Sequence, residues 1–398
     1  MRSQSLLSLL ALASTALSQD QSPISLSSPS SSAPSYREAL LSLHKELVSI
    51  SSLSGHEQNV GSWLIDYLEG LGYSASAQHL SKPEDVSRFN VVAQRGDKKS
   101  HRVLLTSHID TVPPYIPYSI DEGEVSEETV IMGRGSSDAK ASVAAQIIAL
   151  EELRRAGEIE GDEVSLAYVV GEEVDGVGMK RFGAVAAEKG LSWEAGIFGE
   201  PTEGKLACGH KGHASCTIRA KGKAGHSGYP WLGKSATEVL VRALVKVLDT
   251  DLGSSEGFGN TTVNVGIIEG GVAANVIPEH ASAKVAMRIA AGNQTTGWPM
   301  VRERLAKVLE SVDAEALSME CGTGYGPIKC DCKVEGFDGM IVNYGTDVAN
   351  LEGDHTRYLY GPGSILVAHG DDENVKVHEL ETAVEDYKRL IKHALGKD

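Results

Sequence analysis

Five short segments of the sequence run from small or apolar residues into side chains that can bind a metal. VLLTSHID ends in His108 and Asp110, GRGSSDAK carries Asp138, and LAYVVGEEVDG carries Glu172 and Glu173. GIFGEPT carries Glu200, and ILVAHGDDEN carries His369. Imidazole and carboxylate donors without a thiolate suit zinc or a similar divalent cation. They are too many for one tetrahedral ion, and a carboxylate able to bridge points to a pair. In His108-Ile109-Asp110, residues two apart on a strand face the same side, so Asp110 is expected to hydrogen-bond the free ring nitrogen of His108. The adjacent Glu172 and Glu173 leave the backbone in different directions. One can bind metal while the other, beside a cation-activated water, acts as general base. The Asp371-Asp372-Glu373 run reads as a solvated loop and a helix-start charge, not as further ligands.

These residues need a scaffold that delivers them to one place. Four of the five segments read as buried parallel strands, because β-branched-rich apolar runs end abruptly in polar residues. Ligands of open α/β sheets bind beyond the carboxyl ends of the strands. Helical spacing marks helices over 37–49 and 57–68, and strands follow at 73–78, 89–94 and 103–107. A helix over 139–155 starts directly after Asp138, which is placed to cap it. Strands at 164–170 and 195–198 lead to the glutamates, and the alternation describes a doubly wound α/β sheet. From 211 to 318 the order changes to strand 214–220, helix 236–248, strands 262–268 and 281–289, helix 298–312 and a short strand. That βαββαβ order is the ferredoxin-like motif. The chain then returns to a strand at 364–368 and a closing helix at 379–394. The reading is a mixed-sheet catalytic domain of residues 36–210 and 319–398, interrupted by an inserted α+β domain of residues 211–318.

The bulk composition is that of a globular protein: 398 residues, 41% hydrophobic and 23% charged, with a net charge of −17. Such a charge argues against nucleic-acid binding, since nothing neutralises phosphates. Arg2 precedes an apolar run from Leu6 to Leu17, which reads as a secretory signal over residues 1–18 and is too short for a membrane anchor. Residues 19–35 are rich in serine and proline and read as a disordered lead-in. A secreted location makes disulfides possible, and the five cysteines allow at most two, with connectivity open. Sequons at Asn260 and Asn293 are candidate glycosylation sites. No membrane partner is expected.

The segments SHIDTVP, GRGSSDAK, GEEVDGVG, FGEPT, HKGHASCTIRAKGKAGHSGYP, GGVAANVIP and GPGSILVAHGDDE together resemble the M20 family of metallopeptidases. That family includes carboxypeptidases, aminoacylases and amino-acid deacetylases, and the likeness covers the chain from about residue 36. The resemblance implies two zinc ions per chain, one held by His108, Asp138 and Glu200 and the other by Glu173, Asp138 and His369, with Asp138 bridging. It implies Glu172 as general base and Asp110 as the residue orienting His108. The inserted domain resembles the family's lid and dimerisation domain, so a homodimer is expected. In it His226 matches a histidine that stabilises the oxyanion, often from the partner subunit. Asn275 and Arg288 match substrate-contacting residues, the arginine pairing with a free carboxylate, and Gly361 and Gly363 match a loop lining that pocket. Without the resemblance, His226 reads equally as an exposed loop histidine, Arg288 could pair with a surface acid, and Tyr229 and Trp231 read as ordinary packing. Ser142 departs from the family's usual glycine after the bridging aspartate.

The resulting expectation is a secreted zinc carboxypeptidase that removes a C-terminal residue from peptides. An N-acyl-amino-acid hydrolase is the alternative, because both substrates carry an amide next to a free carboxylate. A catalytically silent relative would need a lost ligand or base, and all are present. An aminopeptidase on the same core would lack the inserted lid and its arginine.

Overall fold

The computed structural model describes residues 33–80, 87–96 and 101–398. The expected signal and most of the serine/proline-rich segment lie outside those residues. Numbering only the strands of the two largest sheets, the first domain contributes β1 (Ser74–His79), β2 (Phe89–Gln94), β3 (Val103–His108), β4 (Val164–Val169) and β5 (Ala195–Gly199). The inserted domain contributes β6 (Gly212–Lys221), β7 (Thr262–Gly270), β8 (His280–Ile289) and β9 (Leu317–Cys321); β10 (Thr356–Tyr360) returns to the first sheet. The helices are α1 (Arg37–Ser49), α2 (Gln58–Gly70), α3 (Lys140–Arg155), α4 (Val177–Lys189), α5 (Ala236–Asp249), α6 (Gly297–Asp313) and α7 (Val377–Ala394).

The first sheet runs in the order β1-β2-β4-β3-β5-β10. β4, β3, β5 and β10 are mutually parallel, whereas β1 and β2 are antiparallel. Alternation along each strand divides the core in two. Val103, Leu105, Leu166 and Ile197 pack under α1, α3 and α7, while Leu104, Ala167 and Phe198 face the other side with Met179 and Phe182 of α4. The sheet is thus covered on both faces, which explains why its parallel strands read as continuous apolar runs. The inserted domain forms its own antiparallel sheet, β7-β8-β6-β9, with α5 and α6 packed over one face around Ala214, Ile218, Leu240, Val285 and Leu305. That strand order is the one a βαββαβ chain gives in the ferredoxin-like motif.

Two expectations are corrected. Residues 365–369 are turns, not a strand, and Ser364 makes only an isolated bridge to Thr202: Val367 N–H donates to the Ser364 carbonyl at 3.3 Å, Gly370 N–H donates to the Val367 carbonyl, and Leu366 is 83% exposed. The strand that pairs with the outer side of β5 is β10, eight residues earlier at its start, and it ends at Tyr360, just before Gly361-Pro362-Gly363. Gly363 and His369 both have left-handed backbone, φ 76° and 65°, which no strand accommodates. The second correction concerns α3, which begins at Lys140 without a side-chain cap. The Asp138 carboxylate is turned away from the helix and toward two histidines.

Disulfides join Cys208 to Cys332 and Cys216 to Cys321, and Cys330 is free. Among the described residues no helix is long and apolar enough to cross a membrane.

Candidate metal centre and substrate cavity

Because β4, β3 and β5 are parallel neighbours, their carboxyl ends lie side by side, and the residues just beyond them converge. His108 closes β3 and is buried. Its Nδ1 lies 3.0 Å from the Asp110 carbonyl oxygen, which can only accept, so Nδ1 carries a proton and Nε2 is the ring atom turned toward the carboxylates. Nε2 lies 3.1 Å from Asp138 Oδ1 and 3.9 Å from Glu200 Oε2. On the other side His369 Nε2 lies 3.3 Å from Asp138 Oδ2 and 2.9 Å from Glu173 Oε2. The two oxygens of Asp138 therefore face different histidines, the arrangement a bridging carboxylate needs. Donors about 2.1 Å from a shared tetrahedral ion lie about 3.4 Å from one another, close to these separations.

Asp110 serves the site differently from the expectation. Its main chain, not its carboxylate, holds the His108 ring; the nearest carboxylate oxygen is 3.6 Å away. The carboxylate accepts from Ser54 Oγ at 2.8 Å and from the backbone N–H groups of Glu172 and Glu173 at 3.1 and 3.3 Å. It thereby fixes the turn carrying the glutamate pair. The pair does diverge: Glu173 meets His369, while Glu172 has a carboxylate oxygen within 4.8 Å of ligand atoms of His108 and Glu200.

The electrostatics of the cluster favour cations. Burial pushes Glu172 and Glu200 well above the ordinary carboxylate range, and neighbouring carboxylates add to it. Glu173 is raised for the same reasons. Burial also opposes charge on Asp138, but the hydrogen bonds from His108 and His369 override it and hold its carboxyl well below the ordinary value. Hydrogen bonds to Asp138 and Glu173 push His369 up to about 10. For His108, burial favours the neutral ring, yet Asp138 and the charges around it win and raise the pKa. A cluster of buried carboxylates with two imidazoles has excess negative charge that divalent ions would neutralise. The residues present fit a two-metal centre.

Sequence reasoning missed what holds the two metal-ligand loops together. Glu373, expected in solvent, is 1% exposed. Its Oε1 accepts from the N–H groups of Gly135, Ser137 and Asp138 at 2.9, 3.1 and 3.1 Å, and its Oε2 pairs with buried Arg134 at 2.7 Å. Arg134 also donates to the carbonyls of Pro114, Gly370 and His369 at 3.2, 3.0 and 3.3 Å. One ion pair thus ties the Asp138 loop to the His369 loop. The GRG segment was in view, but nothing in its neighbourhood pointed to a partner 239 residues away.

A cavity of about 540 Å³ opens over the cluster, lined by Asp138, Glu172, Glu173, Glu200 and His369 on one side and by Arg288, His213 and Tyr325 on the other. Arg288 has no acidic partner among the described residues, so the reading of a surface ion pair is not supported. Tyr344 and Asp347 were also not anticipated. Tyr344 lines the cavity, and its hydroxyl donates to the Pro201 carbonyl. Asp347 lies buried behind Thr346, pushed up to about 6 by burial, with Oδ2 unpartnered.

Other residues singled out in the sequence lie elsewhere. His226 and Asn275 are exposed, lie together at a small two-stranded antiparallel pairing of the inserted domain, Gly225–His226 with Val276–Ile277, and do not line this cavity. Gly361 and Gly363 do not line it either. They are close-approach glycines: a Cβ on Gly361 would meet Ser142 Oγ at 2.3 Å, and one on Gly363 would meet Ser137 Oγ at 2.1 Å. The serine that replaces a glycine at 142 is accommodated by Gly199 and Gly361. Tyr229 and Trp231 are 51% and 74% exposed, so ordinary packing does not describe them. Asn260 and Asn293 are both exposed, and Asn293 Oδ1 accepts from Thr295 and Thr296 at the start of α6.

Residues 208–316 match the model of the peptidase M20 dimerisation domain. The chain is 59% identical over 391 residues to a peptidase M20 domain-containing protein of Sordaria macrospora, covering 92% of this chain and 86% of that one. It is 43% identical to a probable carboxypeptidase of Emericella nidulans over 424 residues, 99% of each chain. The chain therefore belongs to the M20 peptidase family. Its fold matches a tripeptidase from Staphylococcus aureus with a TM-score of 0.75 at 22% identity, covering 90% of this chain and 98% of that one. It also matches a dinuclear metal binding peptidase of Bacillus subtilis, with a TM-score of 0.64 at 15% identity over 91% of this chain and 99% of that one.

Proposed function

We propose that this protein is a secreted, dizinc carboxypeptidase that hydrolyses the amide bond next to a substrate's free C-terminal carboxylate. The observation that carries the reading is Arg288, a guanidinium without an acidic partner in the same cavity as the metal-ligand cluster. A guanidinium offers two parallel donors to a carboxylate, which would place the neighbouring amide over the cluster. His108, Glu200 and Asp138 Oδ1 would hold one ion, and His369, Glu173 and Asp138 Oδ2 the other. The ions would supply Lewis acidity, lowering the pKa of water and polarising the amide carbonyl. Glu172, beside the His108 side of the cluster, takes the proton of the attacking water and passes it to the departing amine. Its burial-raised pKa suits that exchange. Asp110 holds Glu172 in place through its backbone N–H.

The exposed His226, with Asn275 beside it, would stabilise the oxyanion of a second copy's substrate, because in its own chain it lies outside the cavity. Support for a homodimer comes from the inserted domain. Ile267 and Ile268 are exposed on its edge strand β7, and Val241, Val245 and Leu248 are exposed on α5. Secretion is supported by the apolar N-terminal run and by the two disulfides.

An N-acyl-amino-acid hydrolase would use the same contacts. The probable carboxypeptidases among the relatives favour peptides. A hydrolysis screen with zinc present separates the readings, comparing N-blocked dipeptides, N-acetyl amino acids, free-amine peptides and C-terminally amidated peptides. Fastest turnover of blocked dipeptides with a free carboxylate is expected. Equal rates on acid and amide would sink the carboxypeptidase and acylase readings together.

A further inference from the structure

Arg288 does not face the cavity alone. On β8 it stands directly opposite His213 of β6, and the backbone N–H of Tyr325 donates to the His213 carbonyl at 3.0 Å. Three polar side chains thus occupy neighbouring positions along one wall, and all three line the cavity. Among the described residues none of their polar heads has a hydrogen-bond or ion-pair partner, and His213 Nδ1 is buried without one. Half-buried polar groups left unpaired are rare, and the His213 ring and the Tyr325 hydroxyl, set beside the exposed guanidinium of Arg288, point to a ligand.

Gly345 makes room for the Tyr325 hydroxyl. A Cβ at this position would lie 2.4 Å from the Tyr325 hydroxyl oxygen and 3.8 Å from Arg288 Nη1. The hydroxyl therefore lies against the Gly345 backbone, in space that a side chain at 345 would take, on the side of Arg288. The backbone there is not in the left-handed region, so glycine is not required by conformation. His213 stays neutral beside them, its pKa lowered by burial and by the charge of Arg288.

We propose that Tyr325 is a second recognition residue for the substrate's carboxylate, its O–H, seated against Gly345, donating to an oxygen held by Arg288. The inference deepens the carboxypeptidase reading and rests on it. A carboxylate accepts at about four lone-pair sites, so a guanidinium fork leaves room for a further donor. A carboxamide keeps one oxygen and loses the charge, and an N–H turned toward the guanidinium meets only donors, so the acid is preferred.

The test is kcat/KM on an N-blocked dipeptide acid and its amide, with the metal-loaded enzyme, Tyr325→Phe and Gly345→Ala. Tyr325→Phe is expected to lose about 10- to 100-fold on the acid, chiefly through KM, and clearly less on the amide. The inhibition constant of the product amino acid should rise by the same factor, while metal content and melting temperature stay at the parent value. Gly345→Ala should weaken acid binding because its methyl meets the hydroxyl, and combining it with Tyr325→Phe should add little. An unchanged acid-to-amide ratio in Tyr325→Phe, with the parent enzyme still preferring the acid, overturns this inference alone. No acid preference in the parent enzyme overturns the functional reading and this inference with it.

Discussion

Glu373→Gln tests how far one buried ion pair sets up the metal centre. The carboxylate accepts from three backbone N–H groups of the Asp138 loop and from Arg134, which in turn holds the carbonyls of His369 and Gly370. An amide in its place keeps one oxygen for the Asp138 loop but presents an NH2 group or a neutral oxygen to Arg134. The guanidinium, 1% exposed, is then left without a counter-charge. Removing one partner of a buried pair costs roughly 3–5 kcal/mol, a large part of a domain's stability. Arg134→Met should cost less, because the stranded carboxylate keeps three N–H donors. The assay is denaturant unfolding of chelator-stripped protein, followed by metal titration. Glu373→Gln should unfold at clearly lower denaturant and bind the His369-side ion about 10- to 100-fold more weakly, with the other ion little affected. Unfolding within about 0.5 kcal/mol of the parent, or Arg134→Met proving the more damaging, would show that this ion pair does not hold the two loops together.

Two further outcomes follow from the same physics. His44 and His210 are fully buried, and burial lowers each pKa from 6.5 to about 4. The unfolded chain takes up those protons near pH 6.5, so the stability they contribute is full above 6.5 and is lost as pH falls toward 4. The loss is roughly 3 kcal/mol per ring. Unfolding free energy measured against pH on chelator-stripped protein should lose about one proton of slope in that window for His44→Asn, and an unchanged slope would count against it. The Cys216–Cys321 bridge pins β6 to β9 within the inserted domain. Replacing both cysteines by alanine should cost about 2–4 kcal/mol in denaturant unfolding, and a change below about 0.5 kcal/mol would show that the sheet registers without it.

The strand-end ligands were legible because parallel strands covered on both faces must be apolar until they end. His108, Glu172, Glu173 and Glu200 each follow such a run. The alternation of elements likewise gave the inserted antiparallel sheet. His369 was found for the wrong local reason: Ile365-Leu366-Val367 reads as a strand, but the left-handed Gly363 and His369 make it a turned loop. Glu373 was misread because an acidic run looks solvated until its partner is known, and Arg134 lies far away in sequence. Asp110 was assigned to the right neighbourhood, but strand periodicity could not show that its carboxylate would serve the glutamate turn. Tyr325 and Gly345 gave no signal, since an unpaired hydroxyl and the space above a glycine exist only in three dimensions.

The proposed mechanism needs Glu172 as the proton carrier beside a two-ion centre that does not use it as a ligand. Turnover and bound metal measured together on Glu172→Gln test this most directly. The expected result is two ions per chain retained, as in the parent, with kcat reduced by roughly 10²- to 10⁴-fold. Turnover within a few-fold of the parent at full metal content, or loss of an ion along with the activity, would contradict it.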